Sequence, residues 1–179
     1  MVPQKIKFYP DTQDDMWNKE CEKLMPYLNG KGIDIGSGDR CILTESCRVD
    51  IDKNREPHFC CSGDELPCED EEFDFLTSIH SLEHFEDPEK TLREWRRIVK
   101  KGGIVAIVHP DVDYTKKQLP EDANPDKNPH NKHFYERNHE GFIKWFESLE
   151  NVGLKIIDTG PACREWSFYV ILKRVIAFK

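Results

Sequence analysis

Gly32-Ile33-Asp34-Ile35-Gly36-Ser37-Gly38-Asp39-Arg40 is the stretch from which this chain is best read. Ile33 and Ile35 flank Asp34 in a short apolar run that ends on Gly36-Ser37-Gly38. A buried parallel strand has this look where it enters a tight turn beneath a nucleotide. Glycine lets the backbone turn sharply and leaves no Cβ in the path of a ligand. A second short run, Val49-Asp50-Ile51-Asp52, follows and carries an acid at its end. In dinucleotide-type folds an acid so placed binds ribose hydroxyls.

About ten residues separate Gly38 from Val49, too few for a long crossover helix. The first crossover is therefore expected to be short or irregular. Further strands are expected at Cys47–Ile51, Pro57–Cys61, Phe73–Ile79, Ile104–Val108, Leu154–Ile157 and Trp166–Val175, the last of them closing the sheet. A helix capped by Asp14 or Asp15 is expected in the N-terminal segment, residues 1–30, with a break near Pro26. Asp87-Pro88-Glu89 opens another: a capping acid, proline at the first helical position and an acid in the first turn. Leu92, Trp95, Ile98 and Val99 form its apolar stripe, Lys100-Lys101 suit its C-terminal dipole, and Gly102-Gly103 stop it. Phe142, Trp145, Phe146, Leu149 and Val152 mark a later helix, with the aromatic residues read as core. Residues 110–135 are rich in proline and charge and show no period, the pattern of a lid or acceptor loop.

Alternating strands and helices imply a single α/β domain over residues 1–179: a Rossmann-like three-layer sandwich. Its seven-stranded sheet is expected to be mostly parallel, with an antiparallel last strand. Ligands in such folds lie at the carboxyl ends of the strands. Gly36–Gly38, Asp50, Gly63–Glu65 and His80 all fall there, from four separate segments.

Acids outnumber bases 34 to 26, a net charge of −8, which makes nucleic acid an unlikely partner in the absence of a basic footprint. No run approaches the roughly 20 apolar residues of a membrane span, and Met1 to Trp17 holds no apolar stretch of a secretory signal. Seven cysteines without a C-x-x-C pair read as free thiols in a reducing compartment. A cytoplasmic location is the expectation. Oligomeric state is open.

Taken in order and spacing, Ile33–Gly38, Val49–Asp52, Leu66-Pro67 before Phe73-Asp74, His80-Ser81-Leu82-Glu83-His84-Phe85 with Asp87-Pro88, Leu92–Trp95 and Lys101–Gly103 resemble a class I S-adenosylmethionine-dependent methyltransferase. The type is the small methyltransferase 11-like group with a shortened first crossover, and the resemblance covers residues 31–110. It implies S-adenosyl-L-methionine as cofactor and S-adenosyl-L-homocysteine as product. Gly36, Ser37 and Gly38 would pass under the methionine part, and Asp34 would face its amino group. Asp50 would hold the ribose, and Ile51 would pack on the adenine. Gly63, Asp64 and Glu65 would stand at the adenine edge, and His80 at the methionine end. Two positions depart from the pattern: Arg40 replaces the third glycine, and Ser62 stands where an acid is usual, with Asp64 the alternative acid.

No phosphate-binding lysine follows the glycines, which argues against a nucleoside triphosphatase. The segment after the fourth strand, Ser78-Ile79-His80-Ser81, lacks the Asn/Asp-Pro-Pro-aromatic signature of nucleic-acid amino-methylation. Cys68 lies before that strand, badly placed for cytosine C5 chemistry. The expected reaction is methyl transfer to an oxygen or nitrogen of a small molecule. The alternatives are a nucleic-acid or protein methyltransferase needing a partner, and a non-catalytic cofactor-binding module. His84, His109 and Tyr135 are the candidates for a catalytic base, with His130 and His133 further loop candidates for acceptor binding; ordinary structural or surface residues are the competing reading for each. His80–His84 also fits H-x-x-E-H, a zinc peptidase pattern that needs both histidines on one helix face. Here a strand leads directly into the first histidine, so a turn at the cofactor rim is expected, and no metal.

Overall fold

The structure, a computed structural model, describes residues 14–115, 132–163 and 166–175. One seven-stranded sheet organises them: β1 Gly32–Ile35, β2 Cys47–Asp50, β3 Phe59–Cys60, β4 Phe73–Ile79, β5 Val99–Pro110, β6 Leu154–Cys163 and β7 Ser167–Arg174. The spatial order is β3-β2-β1-β4-β5-β7-β6. The pairings from β3 through β5 are parallel, and β7 runs antiparallel to both β5 and β6. Strand order reverses beside β1, between β2 and β4, so the glycine turn leaves the sheet at the switch point where ligands of α/β folds bind.

The sheet is covered on both faces. In β5, Val105 and Ile107 join one core with Trp95, Phe142 and Phe168. Ala106 and Val108 join the other, with Cys21, Leu24 and Ile42. The alternation is the period-2 geometry of a strand buried on both sides. Among the described residues four α-helices accompany the sheet: α1 Asp14–Leu24, α2 Pro88–Ile98, α3 Val112–Thr115 and α4 His139–Ser148. Pro26 falls in a 3-10 turn, Met25–Tyr27, that ends the first helical segment. Asp87 caps α2 by accepting from the Lys90 amide at 2.9 Å, with Pro88 in the first turn. No helix forms between β1 and β2, as the ten-residue spacing requires.

Two elements differ from the sequence reading. Helix α2 stops at Ile98, three residues before Lys101, because Val99 is extended and pairs with Phe73. The buried Arg174 guanidinium donates to the Val99 carbonyl at 2.5 Å and the Arg97 carbonyl at 3.3 Å, a cap supplied from β7. Lys100 turns to Asp74 at 2.7 Å rather than to the helix end. Strand β6, expected to end at Ile157, runs on through Asp158-Thr159-Gly160-Pro161 to Cys163. It is an edge strand with register shifts against β7, where proline and irregular pairing are tolerated. None of the seven cysteines forms a disulfide. No helix among the described residues is long and apolar enough to cross a membrane.

Candidate cofactor and acceptor site

A cavity of about 930 Å³ opens at the carboxyl ends of β1, β2 and β4, within the size range of small-molecule and cofactor sites. Ile35, Gly36 and Gly38 form its floor. Residues Asp50 to Arg55 form one wall, Cys61 to Gly63 a second, and His80, Ser81, His84 and Phe85 a third, with Lys132 and Phe134 over the mouth.

The glycine turn is shaped by two different demands. Gly36 has φ +67, and a Cβ there would lie 2.0 Å from Ser81 Oγ, so both conformation and space exclude a side chain. Ser81 fills that space because its hydroxyl donates to the Ile35 carbonyl at 3.0 Å. Gly38 has φ +52, and a Cβ there would meet only open space; the room lies on the cavity side. Asp50 pins the turn, accepting from the Gly38 amide at 2.8 Å and the Asp52 amide at 2.9 Å. Arg48 holds it from behind, donating to the Gly38 carbonyl, to Ser37 Oγ at 3.3 Å and to the Arg55 carbonyl at 2.6 Å.

Beside Asp50, Ile51 is 56% exposed and lines the cavity. An apolar side chain held open next to a carboxylate suits a ligand with a flat apolar ring joined to a hydroxylated sugar. Gly38, Asp50 and Ile51 thus fit an adenosine group on their own chemistry, independently of any resemblance.

Not every expected contact lies in the wall. Asp34 and Ser37 are buried behind it. Asp34 accepts from Thr77 Oγ1 at 2.8 Å and the Ile42 amide at 3.3 Å. Burial pushes its pKa up to about 7, against those two hydrogen bonds. Asp64 and Glu65 are drawn off toward α2 by Lys90, at 3.1 and 3.2 Å, leaving Gly63 as the member of that trio that lines the cavity. Trp95 Nε1 donates to the Gly63 carbonyl at 2.8 Å and fixes this wall to α2. Arg40, at the third-glycine position, turns to α1, its guanidinium 5.8 Å from the Trp17 ring centre.

The far end of the cavity is built from distant segments. His80 closes β4 with φ +53, its amide donating to the Val108 carbonyl at 3.0 Å. Its Nε2 stands 2.9 Å from Glu20 Oε1, and the same carboxylate oxygen accepts from Ser167 Oγ at 2.5 Å. Burial works to lower the His80 pKa, but the Glu20 carboxylate and the charge of Glu83 outweigh it and raise it. A 3-10 turn, Leu82–His84, follows. His80 and His84 therefore do not share a helix face, and the peptidase arrangement is not formed. Residues 132–135 are strapped onto this turn. The Glu83 carbonyl accepts from the Phe134 and Tyr135 amides at 2.8 and 3.2 Å, and His84 Nδ1 donates to the Lys132 carbonyl at 3.1 Å.

His109 and Tyr135, read from sequence as acceptor-side candidates, are placed in the core instead. The His109 ring stacks on Phe168 with centroids 5.3 Å apart and meets Tyr135 edge-on. Burial pushes the His109 pKa down to about 3, so its imidazole is neutral. Nδ1 donates to the Pro110 carbonyl at 2.8 Å. Of the three candidates for a base, His84 alone lines the cavity. His130 lies outside the described residues. Arg48, Glu20, Ser81 and Phe134 were not found from sequence. Their partners lie on other elements, and only Arg48, on β2 beside Asp50, carries a local hint.

Comparison with known proteins bears on the same residues. Residues 33–107 match the family model of a methyltransferase domain. This stretch resembles the class I methyltransferases. The class takes its methyl group from S-adenosyl-L-methionine. An uncharacterized protein of Methanocaldococcus jannaschii is 29% identical over 109 residues, 54% of this chain and 53% of that protein. The mitochondrial 2-methoxy-6-polyprenyl-1,4-benzoquinol methylase of Leishmania donovani is 43% identical over 49 residues, 27% of this chain and 17% of that protein. The match thus spans about half the length of the first of these relatives and less of the second. Among solved structures, a Haloferax volcanii methyltransferase complex containing the Trm112 activator aligns with a TM-score of 0.69 at 13% identity, over 94% of this chain and 93% of that one. A Thermotoga maritima methyltransferase described as a possible histamine N-methyltransferase aligns at 0.61 and 20% identity, over 88% of each chain. These likenesses concern the fold.

Proposed function

We propose that the chain transfers a methyl group from S-adenosyl-L-methionine to an oxygen or nitrogen of a small molecule. The observation that carries this reading is the continuity of the cavity. Gly38, Asp50 and Ile51 line it at one end, and His80, His84 and Phe134 line it at the other. Bound S-adenosyl-L-methionine supplies an electrophilic methyl on a sulfonium. Asp50 offers its remaining lone pairs to ribose hydroxyls, and Ile51 covers the adenine face. Gly36 and Gly38 keep the floor free of side chains. Phe134, held over the mouth by the Glu83 carbonyl, and Lys132, whose carbonyl accepts from His84, shield the acceptor end from water. Alignment of two reactants and exclusion of solvent account for much of the rate in such displacements. A net charge of −8 disfavours a nucleic-acid acceptor.

The likeness to a methyltransferase solved with an activator favours one second reading, in which the chain acts with a protein partner. The test is turnover of methyl-labelled cofactor by the purified chain against a panel of small phenols, catechols, acids and amines. Label transfer that vanishes in Asp50→Ala supports the small-molecule reading. Transfer to protein or RNA in cell extract, with none to the panel, overturns it.

A further inference from the structure

Beyond the methyl-donor end, Glu83, His84 and His133 converge on one point. A ligand atom from each lies within 4.8 Å of the others. The two histidine rings meet edge-on with centroids 5.0 Å apart, and His84 Nε2 is 4.0 Å from Glu83 Oε1. We propose that these three residues bind a divalent first-row transition-metal ion at the acceptor end of the cavity. Two imidazoles and one carboxylate suit zinc, iron, cobalt or nickel, and three protein ligands leave positions open for a substrate.

Three observations set this cluster apart from a chance meeting of polar residues. Glu83 is 1% exposed, and its Oε2 has no hydrogen-bond partner among the described residues. A buried carboxylate oxygen left without a partner costs about 1–3 kcal/mol or more, and a cation bound to this carboxylate would offset part of that cost. His84 donates from Nδ1 to the Lys132 carbonyl, which fixes the tautomer with a lone pair on Nε2, the nitrogen on the Glu83 side. A backbone carbonyl on the outer nitrogen is the usual support of a metal-binding histidine. The strap that carries His133 is tied to the same turn by the two amides donating to the Glu83 carbonyl, so the third ligand is brought there by the fold. The Glu136 carboxylate stands 3.6 Å from His133 Nδ1 as a charge partner for that ring.

The set differs from the peptidase pattern, which would pair His80 with His84. His80 is instead engaged with Glu20. Ligand atoms around tetrahedral zinc stand roughly 3.4 Å apart, so binding requires these side chains to close by about 1 Å. An ion there would take up the His84 lone pair, so His84 would hold the metal rather than act as a base. An acceptor oxygen coordinated to the ion would be acidified by it, its proton passing to water. This last role rests on the methyl-transfer reading; the metal site does not.

Cobalt(II) is the probe, titrated into the purified full chain after treatment with chelator. The expected result is one ion per chain with visible d–d absorption and no near-ultraviolet thiolate charge-transfer band. His133→Ala and Glu83→Gln should each weaken it by about 100-fold or more, as expected for loss of a direct ligand. Binding of S-adenosylhomocysteine and the melting temperature of the metal-free protein show that His133→Ala remains folded. A thiolate band, or cobalt affinity untouched by His133→Ala, would assign binding to cysteines and overturn the proposal, as would no binding at millimolar cobalt. Loss of homocysteine-product binding by the wild type, with the cobalt site intact, would sink the methyl-transfer reading and leave the metal site standing.

Discussion

At the donor end of the cavity, Asp50 accepts from the amides of Gly38 and Asp52, 12 and 2 residues away. At the other end, His80 meets Glu20 across 60 residues, and His84 meets Lys132 across 48. The donor end is a local structure: one strand, one glycine turn and the next strand bring its groups together. The other end, where the acceptor is proposed to bind, exists only once α1, β4 and the strap at 132–135 have packed. A local motif can keep its ligand through large changes elsewhere in a chain, whereas an end assembled from distant segments can change its ligand through a change in any of them. The difference explains why the methyl donor can be named while the acceptor is still a proposal.

Substitutions can break this contrast or sharpen it. Gly36→Val should have the largest effect. It forces a β-branched side chain to φ +67 and into Ser81, at a cost on the order of 2–4 kcal/mol in stability. Thermal melting and product binding should fall together; a stable variant that still binds would show that the turn is not locally determined. Arg48→Met removes three hydrogen bonds behind the turn and keeps the volume. A loss of about 10-fold in product affinity with a modest change in melting is the expected outcome by calorimetry. Unchanged affinity would show that Asp50 alone holds the loop.

Asp34 gives a pH signature beneath the same turn. Its folded pKa, about 7, lies above the ordinary carboxylate value. The native state therefore binds a proton that the unfolded chain has released, and stability falls as pH rises from about 4 to 7. Asp34→Asn should remove that slope. Denaturant unfolding at pH 5 and pH 8 should show the variant gaining on the wild type by roughly 1–3 kcal/mol. A parallel pair of curves would contradict the buried-acid account. The smallest effect is expected at His109. His109→Phe keeps an aromatic ring against Phe168 and loses one hydrogen bond to Pro110. Stability should move by no more than about 1.5 kcal/mol, with no change in the pH profile of turnover. A lost acidic limb in that profile, the limb set by protonation of a general base, would restore His109 as the catalytic base.

The parts legible in the sequence are those whose causes are local. Gly32–Ile35 is a strand, Gly36–Gly38 a turn and Asp87-Pro88 a helix start, because strand burial, φ above zero and capping are decided within a few residues. Asp50 belongs with them. Helix α2 ends early because Val99 pairs with Phe73, and Arg174, 75 residues beyond Val99, caps that end, which no local pattern shows. Strand β6 absorbs Pro161 because it lies at the sheet edge, and edge position is a property of the whole topology. His109 reads as a rim residue from its place at the end of a strand, yet α4 and the strap carry Phe142 and Tyr135 over it. His133 reads as one of several loop histidines, and the two amides that tie its neighbours to Glu83 bring it beside Glu83 and His84.

Asp50 and the glycine turn are proposed to form the methyl-donor site. Calorimetric titration of S-adenosylhomocysteine into wild type and Asp50→Ala tests this most directly. The account predicts one product molecule per chain at micromolar affinity, weakened about 100-fold by the substitution through loss of charged hydrogen bonds to the ribose. No binding by the wild type at millimolar product, or equal binding by both proteins, would contradict it.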